Sequence, residues 1–456
     1  MFCLQCGDAL CHPCPSCSRV IVTHAMNATP THRCPGCDAA LWQCRTCGWL
    51  ATPGHPNCEN PSCPRGSLAP LSRGSSQLGG GSGRSGHFNV PGTMSDGRRF
   101  LANPLPFTRV AIPGEIRGAA AGTSRLWLFC AGPGGLHTVS LPETYTTPLS
   151  SRPSAFTGQP HPDAPDPIAI IGDRLYLLCS DGAMIRSETV AERMLPGAFV
   201  AQCLHEEGWV LVESSQTGTR IHRCDLEGNP LAPPANFSDR QQYPEWSLPV
   251  ADEDAAYLTD DRGQAWRFPW NGGIPSPLGT APGTFTTLML DGGILYVLPV
   301  SSPNTKGQAI ILATGQAHPL SEVQRSPLAF ALDDNRLWLG RMGMAGNTDH
   351  LISIDRHALT AIPRPIPGVP ELAQHLCTVS GPGNDSAIIA FLKGANGSVV
   401  RGWYSEPPFT VTAPFTAALT VTPASGTGQR LIICDAWLGA WIGAEAGSEI
   451  VLYHLL

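Results

Sequence analysis

Lysine is almost missing from this 456-residue chain. Only Lys306 and Lys393 occur, and arginine supplies the rest of the 29 basic residues. Charge of either sign is scarce, at 14% of residues. No run of 18 apolar residues exists, which excludes a membrane-spanning helix. The opening Met1-Phe2-Cys3-Leu4-Gln5-Cys6 has neither a basic stretch nor an apolar one behind it. No secretory leader is therefore expected, and the cytosol is the expected compartment. No catalytic motif occurs anywhere, so no residue is expected to be catalytic or to bind an organic cofactor.

The charge that is present is unevenly placed within a net of −7. Residues 1–65 carry four Arg against three acids, and residues 66–100 four Arg against one acid. The remainder is strongly acidic, and its field repels phosphate backbones, so nucleic acid is not an expected partner. Glycine and proline are abundant, at 49 and 44 residues. That many turn-formers fits many short strands better than long helices.

Cysteine is the feature the chain has in excess. Eleven of the 17 cysteines lie in the first 63 residues. They form Cys3-x2-Cys6, Cys11-x2-Cys14-x2-Cys17, Cys34-x2-Cys37, Cys44-x2-Cys47 and Cys58-x4-Cys63. Two cysteines separated by two residues can turn back and present both sulfurs to one ion, and two such knuckles close a tetrahedral zinc site. In a reducing compartment dense cysteine pairs point to metal ahead of disulfides. Few large apolar residues occur here, so metal must supply the stability, roughly 10–16 kcal/mol per structural zinc in small peptides.

Two pairings of the knuckles remain open. One joins Cys3, Cys6, Cys14 and Cys17, then Cys34, Cys37, Cys44 and Cys47. It is backed by the similarity of residues 3–10, CLQCGDAL, to residues 34–41, CPGCDAAL, and leaves Cys11, Cys58 and Cys63 over. The other joins Cys14, Cys17, Cys34 and Cys37, then Cys44, Cys47, Cys58 and Cys63. Cys3, Cys6 and Cys11 then recruit His12, His24 or His32, and all eleven thiols are used. Two or three structural zinc ions are expected accordingly.

The first pairing resembles the double zinc ribbons common in bacterial and archaeal proteins, over about 50 residues. That resemblance implies a structural class without a function. Trp42-Gln43-Cys44-Arg45-Thr46-Cys47 with Cys58 also resembles zinc fingers of the nucleoporin type, which implies binding of RNA or ubiquitin. Ala51 stands where those fingers carry asparagine, and the Cys58–Cys63 spacing is four where they use two. A RING arrangement is disfavoured because the four residues between Cys6 and Cys11 are too few for its cross-braced loop.

Residues 66–100 read as a flexible Gly/Ser/Arg linker, too poor in apolar residues to order themselves. Residues 101–456 read as repeats. Similar apolar strand cores recur at Arg125–Cys130, Arg174–Cys179, 209–212, 256–259, 294–298, 336–339, 387–392 and 430–434. Their mean step is about 44 residues, the length of a four-stranded propeller blade. Sheets buried on both faces explain near-continuous apolar cores. Thr259-Asp260-Asp261-Arg262-Gly263-Gln264-Ala265-Trp266 fits Ser/Thr-x-Asp-x-Gly-x-x-Trp, which resembles the Asp-box hairpins of sialidase-type and other propellers. There the Thr and Asp side chains are expected to bond the backbone, with Gly263 at positive φ. The expected fold is thus all-β, a seven- or eight-bladed β-propeller preceded by a small zinc-ribbon module. Residues 107–112 are a candidate ring-closing strand, and the strand-like C-terminus suggests a complete last blade.

Cys130, Cys179 and Cys434 are expected to end three equivalent strand cores as buried thiols. Cys203, Cys224 and Cys377 lack a nucleophile's His–acid setting, and His205, His222, His350 and His357 stand singly in the sequence. The functional expectation is a non-enzymatic cytosolic scaffold with protein partners. Propeller hydrolase or lyase chemistry is the alternative; RNA or ubiquitin binding by the zinc module is the second. Zinc ribbons joined to a divergent propeller resemble accessory proteins of bacterial systems that pair a MoxR-type ATPase with a von Willebrand A protein.

Overall fold

The structure is a computed structural model. It describes residues 107–454 apart from several turns and longer loops such as 239–247, 300–306, 342–350 and 422–430, and only seven short strands before residue 107. Among the described residues every regular element is a strand. No helix among them is long and apolar enough to cross a membrane.

From residue 116 onward the chain folds as a succession of antiparallel meanders, each a sheet of strands a, b, c and d in sequence order. The first runs Ile116–Ala121, Arg125–Cys130, Gly135–Ser140 and Ser151–Pro153. Seven meanders have their own four strands. A further sheet contains Leu431–Cys434, Trp441–Ala446 and Glu449–His454, and its fourth strand is Phe107–Ala111 from the other end of the domain. We call it the eighth sheet. Expectation is corrected here: the last sheet is not complete in itself. Glu449 pairs with Ala111 and Tyr453 with Phe107, so residues 107–111 supply its outer edge.

Seven of the sequence cores are strands b, but the eighth is not. Leu431–Cys434 is a strand a, and strand b of that sheet is Trp441–Ala446. Cys434 is therefore not equivalent to Cys130 and Cys179. A short apolar run is the same in an inner or a second strand when both are covered on two faces, so pattern alone could not place it.

Why these runs are continuously apolar is visible in the packing. Each sheet is stacked between two others, so both faces of a strand meet side chains. Ile168–Ile171 is buried at every position. Phe129 and Leu136 of the first sheet pack on Ile168, Leu175 and Leu177 of the second. Tyr176 and Leu178 of the second meet Trp209 and Leu211 of the third. The series continues to the seventh. Val110, Ile450 and Leu452 of the eighth sheet then join Leu126, Leu128 and Val139 of the first, which closes the series on itself. The strands a contact one another from the first sheet to the fifth, from the sixth to the eighth, and from the eighth back to the first, and so line a common axis. This is the architecture of a β-propeller. Each fully buried large apolar side chain contributes roughly 1.5–3 kcal/mol.

An aromatic stands early in strand b of several sheets, and its polar end is satisfied. Tyr176 Oη donates to the Leu226 carbonyl at 2.9 Å, and Trp209 Nε1 to Gln202 Oε1 at 3.0 Å. Tyr257 Oη donates to Asp252 Oδ2 at 2.9 Å, and Trp338 Nε1 to Asp333 Oδ2 at 2.7 Å. An aromatic of this kind buries its ring and needs one partner for its polar tip.

Candidate functional site

The nine head cysteines Cys3, Cys6, Cys14, Cys17, Cys34, Cys37, Cys47, Cys58 and Cys63 lie outside the described residues. So do His24, His32, His350, His357 and Asp261. For Cys11 and Cys44 the backbone strand is described. Cys11–Pro13 pairs with Val20–Val22, Cys11 opposite Val22. Trp42–Cys44 pairs with Leu50–Ala51 on one side and Leu68–Pro70 on the other. In sequence, the first hairpin returns across Cys14-x2-Cys17 and the second across Cys44-x2-Cys47. Among the described residues no group of three or more His, Cys, Asp or Glu is placed to hold a metal ion.

The five cysteines of the body whose side chains are described, Cys130, Cys179, Cys203, Cys224 and Cys377, are buried and outside any disulfide. Burial, with Asp225 adding to it, pushes the Cys224 thiol up to about 11, and burial raises Cys377 further. A thiol so shifted carries almost no thiolate at neutral pH and is a poor nucleophile.

One face of the propeller carries the c–d turn of the third sheet and the a–b and c–d turns of the fourth. Local sequence makes these turns tight. In Asp225-Leu226-Glu227-Gly228-Asn229 the Asp225 carboxylate accepts from the Glu227 amide at 3.0 Å, the Asn229 amide at 2.7 Å and Asn229 Nδ2 at 2.8 Å. Gly228 takes φ +80°, where a side chain would be strained. The b–c turn of the fourth sheet, which points to the other face, repeats the design. There Asp260 is the acceptor. It takes the Arg262 and Gln264 amides, both at 2.9 Å, and Trp266 Nε1 at 3.1 Å, around Gly263 at φ +79°. The motif expectation held for Gly263; its Asp261 lies outside the described residues.

Each c–d turn on this face leans on the preceding sheet. The Leu226 carbonyl accepts from Tyr176, and Glu227 accepts from Arg174 Nη1 at 2.7 Å. Arg193 Nη1 donates to the Glu227 carbonyl at 2.6 Å and to Asn229 Oδ1 at 2.8 Å. One sheet on, the Trp270 ring stacks on His205 at 6.2 Å, and Trp270 Nε1 donates to the Asp252 carbonyl at 2.9 Å. Arg223 Nη1 donates to the Pro269 and Gly273 carbonyls at 2.7 and 3.1 Å. Burial lowers the pKa of Arg223. It also raises that of Asp252, against the pull of the Ala255 and Asp254 amides.

The same fastening recurs between the fifth and sixth sheets. Arg356 Nη1 meets Asp291 Oδ2 at 2.7 Å and also donates to the Asp333 carbonyl. Its Nη2 donates to the Asp291 carbonyl and its Nε to Tyr296 Oη, both at 3.1 Å. Burial works against the charge, but Tyr296 and Asp291 outweigh it and the Arg356 pKa is raised. Replacing Arg356 with Met keeps the stem and strips four hydrogen bonds from a largely buried carboxylate, two carbonyls and a phenol. The expected cost is about 2–4 kcal/mol, read as a shifted urea midpoint with unchanged m-value. An unshifted midpoint would show that these contacts do not join the two sheets.

On this stiff frame stand the exposed apolar side chains. Among the described large hydrophobics, Ile274 is 90% exposed, Leu231 39% and Met194 38%. Ile274 follows the c–d turn of the fourth sheet, Leu231 lies in the c–d connection of the third, and Met194 is on strand d of the second. The third and fourth connections adjoin, since a Cβ on Gly272 would lie 3.3 Å from Ala232. Sequence reading missed all three, and an isoleucine in Gly272-Gly273-Ile274-Pro275 was the available signal, an apolar residue in a turn. It also missed the Asp-x4-aromatic spacing of Asp252–Tyr257, Asp291–Tyr296 and Asp333–Trp338, which marks the a–b turns of three successive sheets. His222 does not stand alone in space: its Nε2 lies 2.8 Å from Glu213 Oε2, and Phe199 packs edge-on against its ring.

No protein family matches the chain by its sequence profile. No curated protein matches it either. Solved structures similar to it include a computationally designed protein, Ika8, at 11% identity and TM-score 0.46, covering 78% of this chain and all of that one. BamB from Moraxella catarrhalis is similar at 12% identity and TM-score 0.39, over 77% and 94% of the two chains. Kluyveromyces lactis Hsv2 is similar at 8% identity and TM-score 0.42, over 66% and 98%.

Proposed function

We propose that this protein is a non-enzymatic protein-interaction scaffold: an eight-bladed propeller with a zinc-folded, cysteine-rich head, acting in the reducing cytosol. The observation that carries the reading is the exposure of Ile274, with Leu231 and Met194, on turns and an edge strand fastened sheet to sheet. Exposed large apolar side chains held rigidly, with little ordering entropy left to lose, suit them to anchor a protein partner. Eight sheets, with residues 107–111 completing the last, support the blade number. The buried, unreactive thiols of the body support a non-catalytic role for its cysteines.

For the head, the donor set is the support. Thiolate pairs two residues apart are the ligands a closed zinc site takes, and two hairpins that return across such pairs suit knuckles. The residues that would hold the metal are Cys3, Cys6, Cys11, Cys14, Cys17, Cys34, Cys37, Cys44, Cys47, Cys58 and Cys63. The metal there would supply folding energy.

The test is affinity capture from native lysate with the full chain, with an Ile274→Asp/Leu231→Asp variant and with a chain lacking residues 1–65. Both substituted positions are exposed, so circular dichroism and melting temperature are expected to hold. At least one protein captured by the full chain is expected to fall tenfold or more with the double variant. Identical capture by both would overturn the assignment of this face. Capture lost only on removal of residues 1–65 would move the partner site to the head.

A further inference from the structure

Two short strands from the segment before the propeller pair inside the ring of sheets. Ser75–Ser76 extends the second sheet beyond strand a, antiparallel, with Ser76 opposite Ile170 and Ser75 opposite Ile171. His87–Asn89 extends the seventh sheet beyond its strand a, in parallel, with His87, Phe88 and Asn89 opposite Thr378, Val379 and Ser380. Strands a are the innermost of each sheet, so both additions lie on the axis side. Residues 170–171 and 378–380 each end a strand a, just before its a–b turn. The two additions therefore sit at the same mouth of the axial opening, on two sheets that are not neighbours. Ser75–Ser76 also contacts strand a of the third sheet. The eleven residue steps from Ser76 to His87 reach roughly 36–40 Å when extended, enough chain to join sheets across the opening.

An innermost strand has a free edge. Its unpaired N–H and C=O groups form a template to which an extended peptide can add. At Ser75 and Ser76 the added residues are small, which lets one backbone approach another without crowding the axis.

We propose that Ser75–Ser76 and His87–Asn89 are an intramolecular cap. They occupy strand-accepting edges at the a–b mouth of the opening and bring the cysteine-rich head out at the centre of that face. Cys63 is only twelve residues before Ser75, so the head is tethered beside the Ile274 face. The cap is defined by backbone pairing and holds or fails independently of the scaffold reading.

Hydrogen–deuterium exchange on the full chain tests it with Ser76→Pro and Phe88→Pro, since proline removes the amide and disrupts strand pairing. Leu211 and Tyr296, on strands b of the third and fifth sheets, serve as reference amides. Protection at residues 170–171 is expected to fall about tenfold in Ser76→Pro, and at 378–380 by a similar factor in Phe88→Pro, with the references unchanged. Unchanged protection at both sites, with the references holding, overturns the cap and leaves the propeller intact. Should a substitution lower the references too, the full chain is measured alone. Amides of 75–76 and 87–89 that exchange at the rate of an unstructured peptide overturn the cap, and slow exchange there supports it.

Discussion

A chain that starts at residue 113 should lose the cooperative melting of one that starts at residue 101. Both lack the head and the cap strands, so the comparison isolates Phe107–Ala111 and Ile112. That strand is the outer edge of the eighth sheet, paired along its length with Glu449–Tyr453. Val110 and Ile112 are buried at 1% and 5% exposure in the cluster that joins the eighth sheet to the first. Their burial alone is worth about 3–6 kcal/mol. The lost ladder adds about 1 kcal/mol per hydrogen bond. Whole domains are stable by only about 5–15 kcal/mol, so the deletion removes a large share of the total. The Arg109–Glu449 pair at 3.0 Å contributes little, because both side chains are substantially exposed. Ser151 Oγ, which donates to the Ala111 carbonyl at 2.7 Å, would lose its partner, loosening the first sheet as well. Thermal melts by circular dichroism check this. Equal melting temperatures for the two chains would mean that the ring does not close through this strand.

The second large effect concerns the head. Protein purified under reducing conditions is expected to carry two or three zinc ions per chain by elemental analysis. Three would select the pairing that uses every thiol, and two the tandem ribbons. Cys44→Ser/Cys47→Ser should remove one equivalent under either pairing. Stripping the metal with a thiol-reactive agent and chelator should unfold residues 1–65, because roughly 10–16 kcal/mol per site depends on it. The propeller core, held by its own apolar clusters, should keep its melting transition. A metal-free head that resists proteolysis as well as the native one would end the zinc assignment.

The strand-b cores of the body were legible in the chain because burial on both faces writes an uninterrupted apolar run. Other features depended on neighbours that the local pattern does not encode. Leu431–Cys434 resembles the other cores yet lies innermost, because position within a sheet depends on which strands arrive beside it. In the b–c turn of the fourth sheet, two backbone amides and the Trp266 ring converge on Asp260, a meeting of groups that the motif's spacing does not spell out.

Composition and spacing by themselves determined that this chain is a cysteine-rich head joined to a repeated β body. Side-chain chemistry and periodicity are local properties that a linear string carries in full. The ring-closing strand read at residues 107–112 completes the last sheet, whereas tertiary structure alone decided that Ile274 stays in water and that two short strands from a Gly/Ser stretch pair with strands a. Those outcomes run through backbone hydrogen bonds and the meeting of distant edges, and neither leaves an apolar signature in the residues concerned.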